Sequence, residues 1–331
     1  MPAVSVIMPA YNVAPYVGAA IESVLDQTFT DLELLFVDDG STDATFEIAA
    51  GCAARDSRVC LLRKPNGGIS SARNHGLRAA SSAVIAVLDS DDLWAPAYLE
   101  TQMRILERRR EIDIVTGNAW FLDARSGPPS LAQDSPFGAR PARPVPDSRP
   151  APDLCQILAD ETAVFIMSLF RYRVYETIGA FDESLQTNED YDFWLRAAAA
   201  GFLFYRNDEP LGYYRQRDDS LSASELRMVR GILRVYQKLR PQLIDRPADL
   251  AILDSQVARF ESERLACEAR QAIETGDVAA AADALAALHR RRGGVVLGVA
   301  HLMARWAPGL LSKAYGIRRA RLGAARHHEA G

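Results

Sequence analysis

Residues 84–92 read VIAVLDSDD, five apolar residues followed by a run of acidic ones. The apolar residues are typical of a short strand that is buried on both faces of a sheet. The run Asp89-Ser90-Asp91-Asp92 places three carboxylates within four residues, and these repel one another unless a cation or hydrogen bonds stabilise their charge. Carboxylate oxygens are the ligands that Mg²⁺ and Mn²⁺ prefer. The stretch therefore indicates either a metal site at the end of a strand or a turn that caps the next helix.

The chain before this stretch alternates strands with helices. Apolar runs predict strands at 4–8, 32–37 and 59–62, and helical periodicity predicts helices at 15–25, 43–55 and 69–80. We expect Pro9 to end the first strand and Ser41 or Thr42 to cap the second helix. Such alternation is typical of an α/β fold in which a parallel sheet is covered by helices on both faces.

Beyond the acidic run the pattern is less regular. The predicted elements are a helix at 96–110, strands at 112–119 and 164–170, helices at 173–179 and 194–200, and short strands at 202–205 and 212–214. From about Ser224 onward the sequence predicts only helices, with an Ala-rich hairpin that turns at Gly276-Asp277. Residues 127–152 contain eight prolines, which predicts a long mobile loop.

Polar residues follow several of the predicted strands. Tyr11, Asp38-Asp39 and Asn66-Gly67-Gly68 lie at such positions, as the acidic run does. Parallel sheets bind ligands beyond the carboxyl ends of their strands. The glycine turn, a helix N-terminus and Arg73 together suit a diphosphate, although two adjacent glycines are also common in ordinary turns. Asp38 and Asp39 fit either contacts to a nucleoside or a helix cap.

The second half of the chain contributes Glu189, Asp190 and Trp194. An acid close to a helix N-terminus fits either a cap or a general base that deprotonates an incoming hydroxyl. Trp194 fits core packing, with sugar stacking as the alternative. Asp192 is expected in the first helical turn, one turn before a possible ion-pair partner, Arg196.

The motifs, in their order along the chain, resemble the family-2 glycosyltransferases, whose fold is called GT-A. The resemblance rests on VSVIMPAYN at 4–12, VDDGSTD at 37–43, GISSARN at 68–74, LDSDD at 88–92, GAFDE at 179–183 and NEDYDFWLR at 188–196. It covers about residues 3–222. It implies a Rossmann-like mixed sheet with helices on both faces, followed here by a C-terminal α-helical extension.

The resemblance also implies roles for single residues. Pro9, Tyr11 and Asp39 would hold the base of a nucleotide-sugar donor, with Asp89 at the ribose and Arg73 at the phosphates. Asp91 would bind Mn²⁺ or Mg²⁺, and Asp190 would be the general base. The implied reaction is inverting transfer of a single sugar, with a UDP-sugar as the expected donor, to a glycan or lipid-linked glycan in the assembly of bacterial surface polysaccharide.

The sequence departs from the family at the metal site. Some relatives supply a histidine after the acceptor region, but no histidine stands between His75 and His289. Arg217 lies near that place and is a candidate contact to phosphate, while Glu189 and Trp194 are candidate acceptor contacts. The Gln-x-x-Arg-Trp motif and membrane helices of processive synthases are absent from the sequence.

We expect two domains. A glycosyltransferase domain would occupy 1–223, with a nucleotide-sugar half at 1–125, the Pro-rich loop at 126–153 and an acceptor half at 154–223. A helical extension would occupy 224–331. The two alternatives to a glycosyltransferase are a nucleotidyltransferase, which would need a basic phosphate-gripping motif near the first strand, and a non-catalytic nucleotide-sugar-binding scaffold.

Charge is distributed unevenly. Residues 289–331 carry nine Lys or Arg against Glu329, a charge of +8, so the rest must carry −13 to give the total of −5. This tail fits either an interfacial amphipathic segment on an anionic membrane or a packing extension or dimer contact. No nucleic-acid reader motif accompanies it, so no nucleic-acid partner is expected. Scattered cysteines and the lack of a basic, apolar leader predict a cytoplasmic protein. The membrane alternative for the tail would add peripheral contact at the inner face of the membrane.

Overall fold

The computed structural model describes residues 1–123, 152–160, 163–164, 166–217, 224–311, 313 and 315. The chain forms two compact units, one of Met1–Ala223 with Lys238–Ile252 and one of Ser224–Gln237 with Leu253–Gly331. The functional division at residue 223 stays a prediction. Most of the predicted loop at 126–153 lies outside the described residues, as do tail residues 316–331.

The first unit is built on an eight-stranded mixed sheet with the strand order β3-β2-β1-β4-β7-β6-β8-β5. The strands are β1 (Val4–Ala10), β2 (Leu32–Asp38), β3 (Val59–Arg63), β4 (Val84–Val87), β5 (Leu93–Trp94), β6 (Ile114–Asp123), β7 (Ser168–Arg171) and β8 (Phe204–Gln216). The first four strands in that order run parallel to one another. β7 runs antiparallel to both of its neighbours, β4 and β6. The mixed α/β sheet expected from the sequence is confirmed.

Helices connect and cover these strands. They are α1 (Ala14–Leu25), α2 (Thr45–Ala53), α3 (Ile69–Ala79), α4 (Tyr98–Arg108), α5 (Leu154–Ala159), α6 (Tyr172–Ile178) and α7 (Glu189–Ala199). Every residue of β1 is buried, as expected for a central strand covered on both faces. The main core joins residues of β1 such as Val6 and Met8 to α1 residues such as Val17 and Ile21. These elements hold the carboxyl ends of the parallel strands together at one edge.

Two local expectations are wrong. Pro9 does not end the first strand but lies within β1. The strand tolerates it because pairing with β4 stops at Ile7, so the missing N–H of Pro9 faces a side without a ladder partner. Neither Ser41 nor Thr42 caps α2, whose N-cap is Ala44; the Ser41 hydroxyl instead accepts the backbone N–H of Asn12 at 3.1 Å.

The strands after the acidic run also differ from expectation. β5 and the helix α5 were not predicted, and α7 begins at Glu189 with Asp192 in its first turn, as expected. The two predicted short strands are one strand, β8, which pairs with β6 with register shifts around Asn118. Both β5 and the last residues of β8 lie beside the acidic run, so residues at the end of β8 can contact its carboxylates.

The second unit is helical, as expected. It contains most of α8 (Glu225–Leu239) and α9 (Pro247–Thr275), together with α10 (Val278–Arg292) and α11 (Val295–Trp306). The Tyr236 and Phe260 rings pack with their centroids 5.9 Å apart. The predicted turn lies between α9 and α10, where Gly276 has φ +78°, a conformation that glycine adopts without a Cβ penalty. Among the residues that the structure describes, no helix has both the length and the apolar character needed to cross a membrane.

Candidate active site

The ends of β1, β2 and β4 form one edge of the parallel part of the sheet. Tyr11 follows β1 and is 48% exposed, whereas Pro9 is buried within the strand. Asp38 ends β2, and its carboxylate accepts the backbone N–H of Ser41 at 3.1 Å. Asp89 follows β4 at the same edge. The predicted convergence of polar residues on one edge is therefore present.

Asp39 binds the glycine turn. Its carboxylate accepts the backbone N–H groups of Gly67 at 3.0 Å and Gly68 at 2.8 Å, and it pairs with Lys64 Nζ at 2.6 Å. Gly68 has φ +87° and is the N-cap of α3, which has no side-chain cap bond. Asp39 thus fixes the backbone that leads into a helix N-terminus, where N–H groups and the helix dipole favour an anion.

Arg73 connects the two halves of the first unit. Its residue is 1% exposed, and its Nη1 donates to Glu189 while its Nη2 donates to Asp89 at 2.7 Å. Burial lowers the pKa of Arg73, but the charges of Asp89, Glu189 and Asp190 outweigh burial and raise it. The guanidinium is therefore a permanent cation that holds α7 against the edge formed by the carboxyl ends of the parallel strands.

Asp190 lies next to this ion-pair network in the first turn of α7. Burial, and then the neighbouring charge of Glu189, raise the pKa of Asp190 to about 7, while Arg73 acts in the opposite direction. Its Oδ1 accepts the backbone N–H of Tyr191 at 2.8 Å. A carboxyl whose pKa lies near neutrality is well matched to taking a proton from a hydroxyl.

Asn74, which follows Arg73 on α3, binds the segment that contains Phe181 and Glu183. Its side-chain oxygen accepts the N–H of Phe181, and its Nδ2 donates to the carbonyl of Phe181 and to Glu183, each at 2.9 Å. Sequence reasoning quoted Asn74 within a motif but gave it no role. No local signal identifies this role, because adjacent residues of a helix point in different directions and Asn74 contacts Phe181 and Glu183 whereas Arg73 contacts Asp89 and Glu189.

The end of β8 lies along the acidic run. Leu93 of β5 pairs with Tyr213 of β8, so the residues that precede β5 lie beside those that follow Tyr213. The backbone N–H of Arg215 donates to Asp92 Oδ1 at 2.7 Å, and Arg215 Nε donates to the Asp91 carbonyl at 2.9 Å. Arg217 Nη1 lies 3.0 Å from Asp91 Oδ2.

The three aspartates of the run therefore differ. Asp92 is 1% exposed, and burial together with the charge of Asp91 raises its pKa well above the ordinary value. The acidic run does form a turn, in which the Asp92 N–H donates to the Asp89 carbonyl at 3.0 Å, but it does not cap the next helix, because α4 has Ala97 as its N-cap and no side-chain cap bond. The side chains of Asp89 and Asp91 are each 22% exposed. These two are the carboxylates of the run that a ligand can reach.

A divalent cation fits this edge only together with a ligand's own oxygens. Within the described ranges, no three or more His, Cys, Asp or Glu side chains converge as a metal site. Burial and the charge of Asp89 raise the pKa of Asp91, and Arg217 lowers it. Mg²⁺ and Mn²⁺ are commonly held by one or two carboxylates plus substrate phosphates. The donor set at Asp91 suits that arrangement, with Arg217 as the resident counter-charge.

The three candidate contacts of the acceptor side have different surroundings. Trp194 is fully buried and packs edge-on against Phe170, Phe193 and Phe204. It therefore offers no exposed face to a sugar, and the core-packing interpretation describes it. Glu189 is paired with Arg73. The Arg217 side chain is 12% exposed and lies beside Asp91.

Several known proteins resemble this chain. It is 33% identical over 233 residues to the uncharacterized glycosyltransferase EpsJ of Bacillus subtilis, an alignment that covers 67% of this chain and 63% of EpsJ. It is 30% identical over 240 residues to the putative teichuronic acid biosynthesis glycosyltransferase TuaG of the same organism, which covers 72% of this chain and 88% of TuaG. The chain thus spans less than two thirds of EpsJ.

Solved structures share the fold at low sequence identity. Residues 1–349 of S. aureus TarS in complex with UDP-GlcNAc match with a TM-score of 0.62 and 18% identity, covering 94% of this chain and 91% of that one. The mannosyltransferase PcManGT of Pyrobaculum calidifontis in complex with GDP-Man and Mn²⁺ matches with a TM-score of 0.59 and 18% identity, covering 98% of this chain and 86% of that one. The fold is GT-A.

The family itself follows from the sequence match. The model of the family described as Glycosyl transferase family 2 matches residues 5–178, which include β1 to β7 and the edge with Asp39, Arg73 and the acidic run. This chain belongs to glycosyl transferase family 2.

Proposed function

We propose that this chain is an inverting glycosyltransferase that moves a single sugar from a nucleotide-diphosphate sugar to an acceptor hydroxyl. The observation that carries the proposal is the bridge made by Arg73. It joins Asp89 at the donor edge to Glu189 on α7, and it thereby brings Asp190, with its pKa of about 7, to the edge where a donor would bind.

In the proposed reaction, Asp190 accepts the proton of the acceptor hydroxyl. The acceptor oxygen forms a bond to the anomeric carbon as the bond from that carbon to the diphosphate oxygen breaks. Attack by an external hydroxyl in one step, opposite the leaving group, inverts the anomeric configuration. The proton resides on Asp190, and the negative charge leaves with the nucleoside diphosphate.

The donor would lie along the sheet edge. Tyr11 and Asp39, with the adjoining Pro9 backbone, would hold the base, and Asp89 the ribose. The glycine turn and the N-terminus of α3 would face the phosphates, with Arg73 as a nearby positive charge. Asp91 would hold Mn²⁺ or Mg²⁺, whose chemistry is to stabilise the charge of the leaving diphosphate. Complexes of the fold neighbours with UDP-GlcNAc and with GDP-Man and Mn²⁺ support this class of ligand; a UDP-sugar is our expected donor.

The proposed acceptor is a glycan or a lipid-linked glycan of the bacterial surface. The names of two similar proteins of Bacillus subtilis support this class of acceptor: the putative teichuronic acid biosynthesis glycosyltransferase TuaG and the minor teichoic acid biosynthesis protein GgaB. A lipid-linked acceptor suits an enzyme at the inner face of the membrane; the peripheral contact expected for residues 289–331 is a separate hypothesis.

The test begins with the donor. Nucleotide sugars that include UDP-GlcNAc and GDP-Man are screened with Mn²⁺ for a rise in melting temperature, because a ligand that binds the native state stabilises it. Transfer of label from the best donor to a membrane glycolipid extract is then compared between the native chain, Asp190→Asn and Glu176→Gln. Glu176 is an exposed acid on α6 in the same half.

We expect Asp190→Asn to abolish transfer while the donor still raises its melting temperature, and Glu176→Gln to behave as the native chain does. Unchanged transfer by Asp190→Asn would refute the base assignment. If no nucleotide sugar shifts the melting temperature of the native chain, the transferase proposal itself is contradicted.

A further inference from the structure

One face of α11 is apolar and exposed. Val295 is 83% exposed, Val299 49%, Leu302 55% and Trp306 76%. Their spacings of four, three and four residues place them on one side of the helix. Val296 extends the same apolar surface, with 76% exposure. We call these five residues the α11 face.

The opposite side of α11 is packed within the second unit. Ala304 is 1% exposed and lies in a cluster with Ala269, Ala284 and Leu285. The His301 ring nitrogen Nδ1 lies 3.1 Å from the Ala282 carbonyl of α10. Small residues and this hydrogen bond fix which side of α11 faces inward. The outward side of α11 is therefore apolar, although packing of the inward side already buries one face of the helix within the second unit.

The α11 face lies within a strongly basic part of the chain. Arg290, Arg291 and Arg292 end α10 and are exposed, as are Arg305 and Lys313. The sequence contains no acidic residue between Asp283 and Glu329. An apolar helix face whose own stretch of sequence carries only positive charge is complementary to a bilayer whose acyl chains are apolar and whose headgroups are anionic.

We propose that the α11 face docks the protein onto an anionic lipid bilayer. The helix has 12 residues and spans about 18 Å at 1.5 Å per residue, so it lies in the plane of the interface instead of crossing it. Its apolar side chains enter the boundary between headgroups and acyl chains, where tryptophan is favoured. The arginines contact lipid phosphates. This docking is independent of the chemistry proposed for the first unit.

A second copy of the chain is a poorer occupant. A symmetric pair that buried the α11 face would bring two copies of the same basic segment together, since residues 289–331 carry +8 in each chain. Like charges at an interface oppose association. A bilayer with anionic lipids offers the opposite charge, so the observations favour the membrane.

The test measures co-sedimentation of the full chain with vesicles of phosphatidylcholine and phosphatidylglycerol, and with vesicles of phosphatidylcholine alone. The face variant is Leu302→Ser with Trp306→Ser. The matched control is Leu203→Ser with Ile244→Ser, which removes two apolar side chains that are 50% and 67% exposed in the first unit. Circular dichroism establishes that every variant keeps its helical content.

We expect the native chain and the control to bind anionic vesicles, and the face variant to bind at least tenfold more weakly. Replacing Arg290, Arg291 and Arg292 with glutamine weakens binding on the order of 100-fold, because each basic residue near an anionic surface contributes about fivefold. Trp306 fluorescence shifts to the blue on binding, and Trp306→Phe removes the shift while most binding remains. Of the other three tryptophans, Trp94 and Trp194 are buried and Trp120 is partly buried, all in the first unit.

Equal binding by the face variant and the native chain overturns the proposal. It is also overturned if the native chain does not bind anionic vesicles but light scattering shows a dimer that the face variant converts to a monomer. In that case a second copy covers the α11 face. Neither result bears on the transferase assay in detergent-solubilised extract, so failure of docking and failure of the proposed chemistry are distinguishable.

Discussion

Burial, together with the crowding of like charges, governs the protonation of single carboxyl groups in the site. Five carboxylates lie around the guanidinium groups of Arg73, Arg215 and Arg217, namely Asp89, Asp91, Asp92, Glu189 and Asp190. Carboxylates that are buried near one another resist ionisation. The arginines keep some of them charged, and burial together with Glu189 leaves Asp190 poised near neutrality.

The pKa of Asp190 predicts how activity depends on pH. The carboxyl must be ionised to take a proton from the acceptor, so we expect kcat/KM to fall tenfold per pH unit below an apparent pKa of about 7. The groups that set this value are Glu189, Arg73 and Asp89. A pH profile of transfer measures it, and a rate that stays flat down to pH of about 5 would contradict the assignment.

Ionisation of Asp190, which the proposed reaction needs, lowers the stability of the folded state. The folded pKa of about 7 lies above the ordinary aspartate value of 3.8, so the folded state holds the proton more tightly and its stability falls as pH rises between these values. Asp190→Asn removes this loss. Urea unfolding should show the variant to be more stable than the native chain above neutrality by about 1–3 kcal/mol, with the difference shrinking toward pH of about 4.

Arg217 competes with a cation for Asp91. Its Nη1 lies 3.0 Å from Asp91 Oδ2, and a charged hydrogen bond of this kind contributes roughly 1.5–3 kcal/mol. We therefore expect Arg217→Gln to raise the Mn²⁺ affinity of the nucleotide-free protein about tenfold at mildly alkaline pH. Electron paramagnetic resonance of free Mn²⁺ measures the affinity directly.

The control for Arg217 is Arg63→Gln. Arg63 also pairs with a carboxylate at a strand end, but its partner, Asp38, is fully buried and is not available to a cation. Its removal should leave Mn²⁺ affinity unchanged. An equal rise in both variants would mean that general charge, not competition at Asp91, controls binding.

Composition did not reveal the residue contacts of the site. The chain has three lysines among its 38 basic residues, and two of them, Lys64 and Lys238, pair with the buried carboxylates of Asp39 and Asp192. The low lysine count by itself did not indicate these pairs. The bridge from Arg73 to Glu189 spans 116 residues of sequence, and no local pattern encodes such a contact.

At the scale of elements, prediction worked where periodicity is local and strong. The strands and helices up to β4 were predicted to within about two residues, because continuous apolar runs and amphipathic helices follow one another in order. β8 was split in two because residues 206–210 are polar or proline. The polar stretch is tolerated because β5 pairs only further along, at Gly212 and Tyr213, and pairing with β6 shifts register there.

The contact between α3 and β1 gives an element-scale prediction. A Cβ on Gly76 would lie 2.6 Å from Ile7 Cγ2, inside the buried central strand, so Gly76→Ala must push α3 away from the sheet. Overpacking of this kind costs about 1–3 kcal/mol, partly offset by the higher helix propensity of alanine. Urea unfolding should show a net loss of stability.

Gly18→Ala is the matched control. Gly18 also lies in a helix, but a Cβ there would meet Ile48 Cγ2 at 3.5 Å, an ordinary contact. We expect this variant to gain up to about 1 kcal/mol from helix propensity. If Gly76→Ala is as stable as Gly18→Ala, the close approach of α3 to β1 is not as the structure describes it.

At the scale of the whole molecule, the uneven distribution of charge parallels the division between the proposed chemistry and the proposed membrane docking. The basic tail carries +8 and the remaining residues −13, while the proposed chemistry uses residues of the first unit and the proposed docking uses residues of the second. Composition alone revealed the asymmetry but could not locate the α11 face. Locating it required knowing that Ala304 faces inward, since the periodicity of 295–306 does not say which side is packed.

Two ligands should accordingly protect two separate parts of the chain from hydrogen exchange. The donor that raises the melting temperature, added with Mn²⁺, should slow exchange at 66–74 and 89–92, because bound backbone amides open less often. Anionic vesicles should slow exchange at 295–306 and leave those segments as they were. Mass spectrometry of peptides measures both footprints on the same full chain, with the face variant as control for the vesicles and Asp190→Asn as control for the donor. If vesicles still protect 295–306 in the face variant, the assignment of docking to the α11 face is contradicted. If the donor protects only the helical unit, the assignment of donor binding to the first unit is contradicted.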